Sequence, residues 1–379
     1  MPADTHPRVL VADDQLDVVL ALRLLLRGAG LQVDDAASVH EVRARLDAAE
    51  YDLLLMDLNY ARDTTSGAEG LALLADVHEK DPLLPVLVMT GWGSIDTAVE
   101  AMRRGACGFV HKPWDNEALT AAIRREVEHG RALRSTHRRA AREQLEAQAI
   151  QRALLPMDIP NLPGCSLAAR WQPAATFGGD LYDVTLLGDE RVAISIGDVS
   201  GKGLPAALLM ANVQASVRAC AALDQSPGAV VSRLNRDLSR NVALRRFVTL
   251  VIAIYDGATR RLTYCNAGHP APLLLRADDS IVRLETGGTV IGAFEDSPFG
   301  EDTIVIARGD HLVLFTDGIT EAARTDDLQF GDEALFDVVR ARGAGSAARE
   351  IADTILDGSS AFAADGFHDD ATVLVASFY

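Results

Sequence analysis

The sequence predicts an α/β chain: a five-stranded, doubly wound parallel sheet, then a helical connector, then an αββα sandwich. Three observations lead there. Between residues 8 and 126, short apolar runs alternate with amphipathic stretches, as in a parallel sheet covered by helices on both faces. From about Asn116 to Leu155 the composition turns to Ala, Arg, Glu, Gln and Leu, with Gly130 the one strong helix breaker. Beyond Pro156, Pro160 and Pro163, strand-like runs follow one another across tight turns, with helical stretches among them, which suits two antiparallel sheets covered by helices. The expected divisions are 1–127, 128–155 and 156–379.

In the first division RVLVA, QVDDA, DLLLMD, PVLVMT and GFVHK read as strands, and Val18, Leu22, Leu25 and Leu26 show the helical spacing between them. In the connector, Ile123, Val127, Leu133, Leu145, Ile150 and Leu154 keep no strict heptad, so they are compatible with a coiled-coil homodimer without specifying one. Its arginines, from Arg124 to Arg142, are interleaved with Glu126, Glu128 and Glu143 and read as a solvated face. In the last division RVAISI, RFVTLVIAIYD, RRLTYCNAG, APLLLRA, DTIVIA, HLVLFTDG and TVLVASF read as strands, with helical patterns at 203–222, 226–243 and 331–357.

A hydrophobic content of 48% describes a folded chain, and a net charge of −18 disfavours nucleic acid as a partner. The scattered Cys107, Cys165, Cys220 and Cys265 form no CxxC pair and read as thiols in a reducing compartment. The first residues lack the pattern of a secretory signal, and no stretch is expected to reach the ~20 apolar residues that span a bilayer. The expectation is a cytoplasmic protein with no membrane partner.

Four aspartates stand in glycine-rich or acidic surroundings: Asp180 in FGGDLYD, Asp198 in IGDVSGKG, Asp317 in FTDG and Asp369 in HDDAT. Apolar runs adjoin three of them, which places their carboxylates at strand ends around one cleft. Hard divalent cations prefer such oxygen donors, and two of them ~3.5–4 Å apart activate water against a phosphate ester. Phosphate-ester hydrolysis is the expected chemistry. The adjacent Asp183 and Asp370 read equally as partners of metal-bound water or as local caps. His269 in NAGH reads as a turn histidine anchoring the sheet edge rather than a general acid.

A second set of polar residues lies upstream. Asp13 and Asp14 end the first strand and Asp57 the third, while Thr90 and Lys112 end the fourth and fifth, so all five share the carboxyl edge of the sheet. With the MD, MTG and HKPW around them, residues 7–127 resemble the receiver domain of bacterial response regulators. The resemblance implies that Asp57 accepts a phosphoryl group from a cognate histidine kinase. It also implies an Mg²⁺ bound by Asp57, by Asp14 directly, by Asp13 through water and by the Asn59 carbonyl. Lys112 and the ion cancel the repulsion between carboxylate and phosphoryl group, and Thr90 donates to the phosphoryl oxygens. Phe109 matches the aromatic such domains use as a packing switch, and reads equally as a plain core residue. The loop after Asp57 departs from the family's short Pro-containing turn and brings Arg62 and Asp63 toward the phosphoryl group.

From about Leu145 onward, QRALLP, GGDLYD, GDVSGKGLPAAL, NAGHPAPLL, FTDGITEA and DDAT occur in the order that resembles the SpoIIE-type branch of metal-dependent protein phosphatases, the PPM family. That implies a pair of Mn²⁺ or Mg²⁺ ions, with Asp198 bridging, Asp180 and Asp317 binding, Asp369 completing the shell of the second ion, and the Val199 carbonyl as a further ligand. The implied output is a protein-serine/threonine phosphatase acting on a phosphorylated STAS-domain anti-sigma-factor antagonist. Two rivals remain: a receiver-controlled transcription regulator, against which stand the acidic charge and the lack of a helix-turn-helix pattern, and a catalytically silent phosphatase fold that only binds a partner.

Overall fold

The computed structural model describes residues 6–379 apart from 61–67, 92–94, 157, 161, 224–225, 241–245, 325–327, 343–344 and 364–365. It forms two compact units, 1–143 and 144–379.

The N-terminal unit runs β1 (Arg8–Ala12), α1 (Leu16–Gly28), β2 (Gln32–Ala36), α2 (Val39–Ala48), β3 (Leu53–Asp57), α3 (Ala68–Lys80), β4 (Val86–Thr90), α4 (Ile95–Arg103), β5 (Gly108–His111) and the start of α5 (Asn116–Leu154). All pairings are parallel, in the order β2-β1-β3-β4-β5. Successive residues of the inner strands point to opposite faces. Leu10, Leu54, Met56 and Val88 enter one core while Val9, Val11, Leu53, Leu55 and Met89 enter the other. Because both faces are covered, these strands read as unbroken apolar runs. The strand order reverses between β1 and β3, which brings Asp13 and Asp57 side by side at the carboxyl edge.

The first turns of α5 bury Ile123 and Val127 in the second of these cores. Arg124, Arg125, Arg138, Arg139 and Arg142 are exposed, as a solvated face requires, but two arginines are more engaged. Arg131 makes a two-point contact with Asp52 at 2.7 and 2.9 Å, and Arg134 donates to Asp81 at 2.6 Å and to the Tyr51 carbonyl at 2.7 Å. Both carboxylates sit in the loops that lead into β3 and β4, so the basic residues fasten the helix to its own unit.

The C-terminal unit contains β6 (Cys165–Gln172), β7 (Leu181–Leu186), β8 (Arg191–Val199), α6 (Leu204–Leu223), α7 (Pro227–Ser239), β9 (Val248–Asp256), β10 (Arg261–Ala267), β11 (Leu273–Leu275), β12 (Ile281–Arg283), β13 (Gly287–Gly288), β14 (Asp302–Val305), β15 (His311–Phe315), α8 (Asp317–Thr320), α9 (Gly331–Arg342), α10 (Ala348–Phe362) and β16 (Ala371–Phe378). One sheet runs β13-β10-β9-β8-β7, with β14 also on β10, and the other runs β12-β11-β15-β16-β6. Alternation along β15 and β16 builds the layers. Leu312, Leu314, Leu374 and Ala376 face the first sheet, whereas Val313, Phe315, Val373 and Val375 face α8 to α10. Helices α6 and α7 cover the outer face of the first sheet, completing the αββα sandwich.

Several expectations change here. Strands β6 and β7 were not anticipated, and the helical pattern expected over 331–357 is two helices, α9 and α10. Contrary to the sequence expectation, α6 is long and apolar enough to cross a membrane by length and composition, but half of it is buried, with Leu209, Met210, Val213 and Val217 in the core of the sandwich. The four cysteines form no disulfide with one another, and three of them are buried.

Candidate functional site

In the N-terminal unit the Lys112 ammonium bridges two buried carboxylates, at 2.6 Å from Asp13 Oδ2 and 2.7 Å from Asp57 Oδ2. Burial opposes the charge on Lys112, but the hydrogen bonds to Asp13 and Asp57 outweigh it and hold its pKa above the ordinary lysine value. Burial pushes the Asp13 carboxyl up despite the same bond. The Gln15 N–H donates to Asp13 Oδ1 at 2.9 Å, and the Asn59 N–H donates to Asp57 Oδ1 at 3.3 Å, so each carboxylate is held by its own loop. Asp14 is half-buried beside them, and Thr90 is buried at the end of β4. The cation that unites Asp13 and Asp57 lies 55 residues beyond the latter, at the end of β5.

Phe109 is 55% exposed on β5, which removes the reading of it as a core aromatic. Arg62 and Asp63 lie outside the described residues. Tyr60, not anticipated from the sequence, is buried with a hydroxyl that has no hydrogen-bond partner among the described residues. Burial first, then the charges of Asp57, Asp13 and Asp14, push its phenol upward.

In the C-terminal unit the four aspartates gather at one end of the sandwich. Asp180 precedes β7, Asp198 lies near the end of β8, Asp317 begins α8 and Asp369 precedes β16. Asp180 is fully buried and accepts from the hydroxyls of Thr316, at 2.8 Å, and Thr372. These threonines interlock, since the Thr372 N–H donates to Thr316 Oγ at 2.9 Å. Burial raises the Asp180 carboxyl well above its ordinary value, aided by Asp198. Asp198 is pushed up to about 7 by burial and then by Asp317, Asp369 and Asp370. Asp317 is raised by burial and by Glu321 and Asp369.

Asp370 resolves as a structural partner of the same cleft, accepting from the N–H groups of Gly179 at 2.6 Å and Ala174 at 2.9 Å. Asp183, by contrast, is turned away into a bidentate pair with Arg218, 2.7 Å at each oxygen. Gly179 is required by close approach, because a Cβ there would lie 2.8 Å from the Val199 carbonyl oxygen and 3.0 Å from Asp198 Oδ1. Gln151, near the end of α5, is buried. Its Nε2 donates to the Gly178 carbonyl at 2.6 Å and its Oε1 accepts from the Gly178 N–H at 3.3 Å. The helix end is thereby tied to the turn that carries Asp180.

Around the cleft, backbone approach is tightest at Gly318. A Cβ there would meet the Asp370 carbonyl oxygen at 2.1 Å and that of Asp369 at 3.0 Å. Gly318→Ala is expected to push the 369–370 turn outward and to cost ~1–3 kcal/mol of stability, the usual range for overpacking. Urea unfolding followed by tryptophan fluorescence would measure it, and an unchanged midpoint would show that the turn yields freely.

His269 behaves as an anchor. Its Nδ1 lies 2.8 Å from Thr249 Oγ, its Nε2 lies 3.1 Å from the Phe315 carbonyl, and burial lowers its pKa to about 3. The carbonyl can only accept, so Nε2 carries the proton and Nδ1 accepts from Thr249. The unfolded chain would take up a proton below about pH 6.5 that the folded chain refuses until about pH 3. The stability due to neutral His269 is thus present above pH 6.5 and is lost as pH falls, by about 2 kcal/mol at pH 5. His269→Gln is expected to flatten that part of the pH profile, and a profile as steep as wild type would sink the argument.

The cleft's donors are oxygens only, and buried carboxylates that raise one another's pKa call for positive charge between them, a set that fits Mg²⁺ or Mn²⁺. Among the described residues no three acidic, histidine or cysteine side chains close on one point. The carboxylates surround the cleft, and Lys202 reaches in to Asp369 Oδ2 at 3.1 Å.

The profile of the protein family described as Stage II sporulation protein E (SpoIIE) matches residues 188–379, half of the chain. The chain belongs to the SpoIIE family. The profile of the response regulator receiver domain matches residues 9–124, so the SpoIIE-type phosphatase domain follows a receiver. The chain is 30% identical over 230 residues to the phosphoserine phosphatase RsbU of Bacillus subtilis, covering 60% of this chain and 68% of RsbU. It is 31% identical over 263 residues to the protein IcfG of Synechocystis, covering 60% of this chain but only 40% of IcfG. The SiaA-PP2C domain of Pseudomonas aeruginosa superimposes with a TM-score of 0.58 at 22% identity, over 64% of this chain and 99% of that domain, and so shares the SpoIIE-type fold.

Proposed function

We propose that this chain is a two-component response regulator whose output is metal-dependent dephosphorylation of phosphoserine or phosphothreonine on a protein partner, a phosphorylated STAS-domain anti-sigma-factor antagonist. The observation that carries the reading is the acidic cluster of Asp180, Asp198, Asp317 and Asp369 at one end of a SpoIIE-type sandwich, with Asp180 fully buried and Asp198, Asp317 and Asp369 each raising the proton affinity of a neighbour.

In this reading Asp198, Asp180, Asp317, Asp369 and the Val199 carbonyl would hold two Mn²⁺ or Mg²⁺ ions. Bound there, the ions supply the Lewis acidity that phosphate-ester hydrolysis needs. The chain's own part is to hold the donors. Thr316 and Thr372 fix Asp180, Asp370 fixes Gly179, and Gln151 fixes Gly178. In the receiver, Asp57 attacks the phosphorus of a kinase phosphohistidine, so an O–P bond forms as the N–P bond breaks. Asp13, Asp14, Asp57 and the Asn59 carbonyl would hold Mg²⁺, whose charge would add to that of Lys112 beside the phosphoryl group, and Thr90 donates to the phosphoryl oxygens. Exposed Phe109 is free to pack inward as the switch.

The functional divisions are taken as a receiver over 1–127, a linker over 128–155 and a phosphatase over 156–379, working in the cytoplasm. The deciding measurement is release of phosphate from a phosphorylated STAS protein by the full chain with Mn²⁺, with and without a small-molecule phosphoryl donor. Release that responds to the donor in wild type and not in Asp57→Asn supports the whole reading. No release under either condition overturns it and leaves the silent binding module in its place.

A further inference from the structure

The acidic cleft poses an electrostatic problem that the carboxylates alone do not solve. Asp180, Asp198, Asp317, Asp369 and Asp370 interact with one another, and two divalent ions against these five carboxylates leave one net negative charge. A phosphoserine brings about −1.5 to −2 more. Two cationic side chains flank the loop that follows Asp198. Arg246 donates from Nη1 to the Ser200 carbonyl and lies against Gly201. The residue after Arg246 is anchored, because the β8–β9 ladder continues past Val199–Val248: the Ser200 N–H donates to the Phe247 carbonyl at 3.0 Å and the Phe247 N–H to Ser200 Oγ at 2.9 Å. Lys202, on the other side, donates to the His368 carbonyl at 2.7 Å and pairs with Asp369, its side chain more than half exposed.

Resting on the phosphatase reading above, we propose that Arg246 and Lys202 are the phosphate-binding residues of the substrate, the guanidinium clasping two phosphate oxygens and the ammonium moving from Asp369 to the incoming group. The two together turn the net charge of the loaded cleft positive. Their chemistry is complementary, because a planar guanidinium grips phosphate bidentately whereas an ammonium acts as a point charge. The site thereby favours a doubly charged phosphomonoester over a singly charged diester.

The test uses the full chain with Mg²⁺. Arg246→Ala is expected to raise KM for a phosphoserine peptide by about tenfold or more, with kcat changed about twofold at most. Calorimetric affinity for inorganic phosphate should fall by a similar factor while affinity for Mg²⁺ stays as in wild type. Lys202→Gln should do the same to a smaller extent, and Arg246→Lys should recover part of the loss. Unchanged KM and phosphate affinity overturn the proposal. So does a fall in Mg²⁺ affinity that matches the rise in KM, since Arg246 would then only pin the metal-binding loop. A wild type that hydrolyses no phosphoserine peptide overturns the phosphatase reading instead, and phosphate calorimetry on the variants still decides the role of the two cations.

Discussion

Asp198→Asn is expected to lower phosphatase turnover by more than about a hundredfold, beyond the usual cost of losing an outer-shell partner at a metal site, while making the metal-free protein more stable. Both effects have one cause. The Asp198 carboxyl is pushed up to about 7 because burial and three neighbouring aspartates oppose its charge. Between about pH 4 and 7 the folded chain keeps a proton that the unfolded chain has lost, so stability declines as pH rises through that window. Above it the penalty is about 4 kcal/mol, and the neutral amide removes it. Metal-free Asp198→Asn should therefore melt several degrees above wild type at pH 8 and close to it at pH 4. Added Mg²⁺ should stabilise wild type more at pH 8 than at pH 5 and do little for the variant. Retained turnover would remove Asp198 from the site, and coincident melting curves at pH 8 would remove the repulsion argument.

Lys112→Ala is the second large effect. It strips the shared partner from Asp13 and Asp57, both almost fully buried, and a buried ion pair broken on one side costs about 3–5 kcal/mol. The loss falls on the N-terminal unit, so a single unfolding midpoint of the two-unit chain would blur it. Hydrogen exchange at the amides of β1 and β3 reads that unit alone and should show protection reduced at pH 7. Acidification or Mg²⁺ should restore part of it, because either neutralises the stranded carboxylates. Protection equal to wild type would mean that the ammonium contributes nothing net there.

The five parallel strands were legible because burial on both faces demands continuous apolar runs. β7 was not, because LYDVTL carries Asp183 in its middle, a charge paired with Arg218 from 35 residues further on. β6 was hidden by its mixture of buried and half-exposed positions. At the sites, the aspartates and Lys112 could be named from motifs because chemistry fixes their residue types. Thr316 and Thr372 stood inside the same motifs, yet their joint hold on Asp180 depends on two strands meeting at their ends. Gln151 was likewise visible only as a letter in QRALLP until the helix end met the GGD turn. Arg131 and Arg134 of α5 depart from the solvated face expected of the helix because their partners, Asp52 and Asp81, lie 50 or more residues upstream, whereas Arg124, Arg125, Arg138, Arg139 and Arg142 are exposed as expected.

Strand β16 lies between β15 and β6, inside its sheet, and its register with β6 joins residues about 200 apart in sequence. Asp369 and Asp370 immediately precede it. During synthesis the receiver's sheet is complete once residue 111 has emerged, whereas the last donors of the acidic cleft and the strand that seats them arrive some 260 residues later. At ~5–20 residues per second that is a delay of roughly ten to fifty seconds. On the ribosome, the half that would listen is therefore folded well before the half that would act can exist.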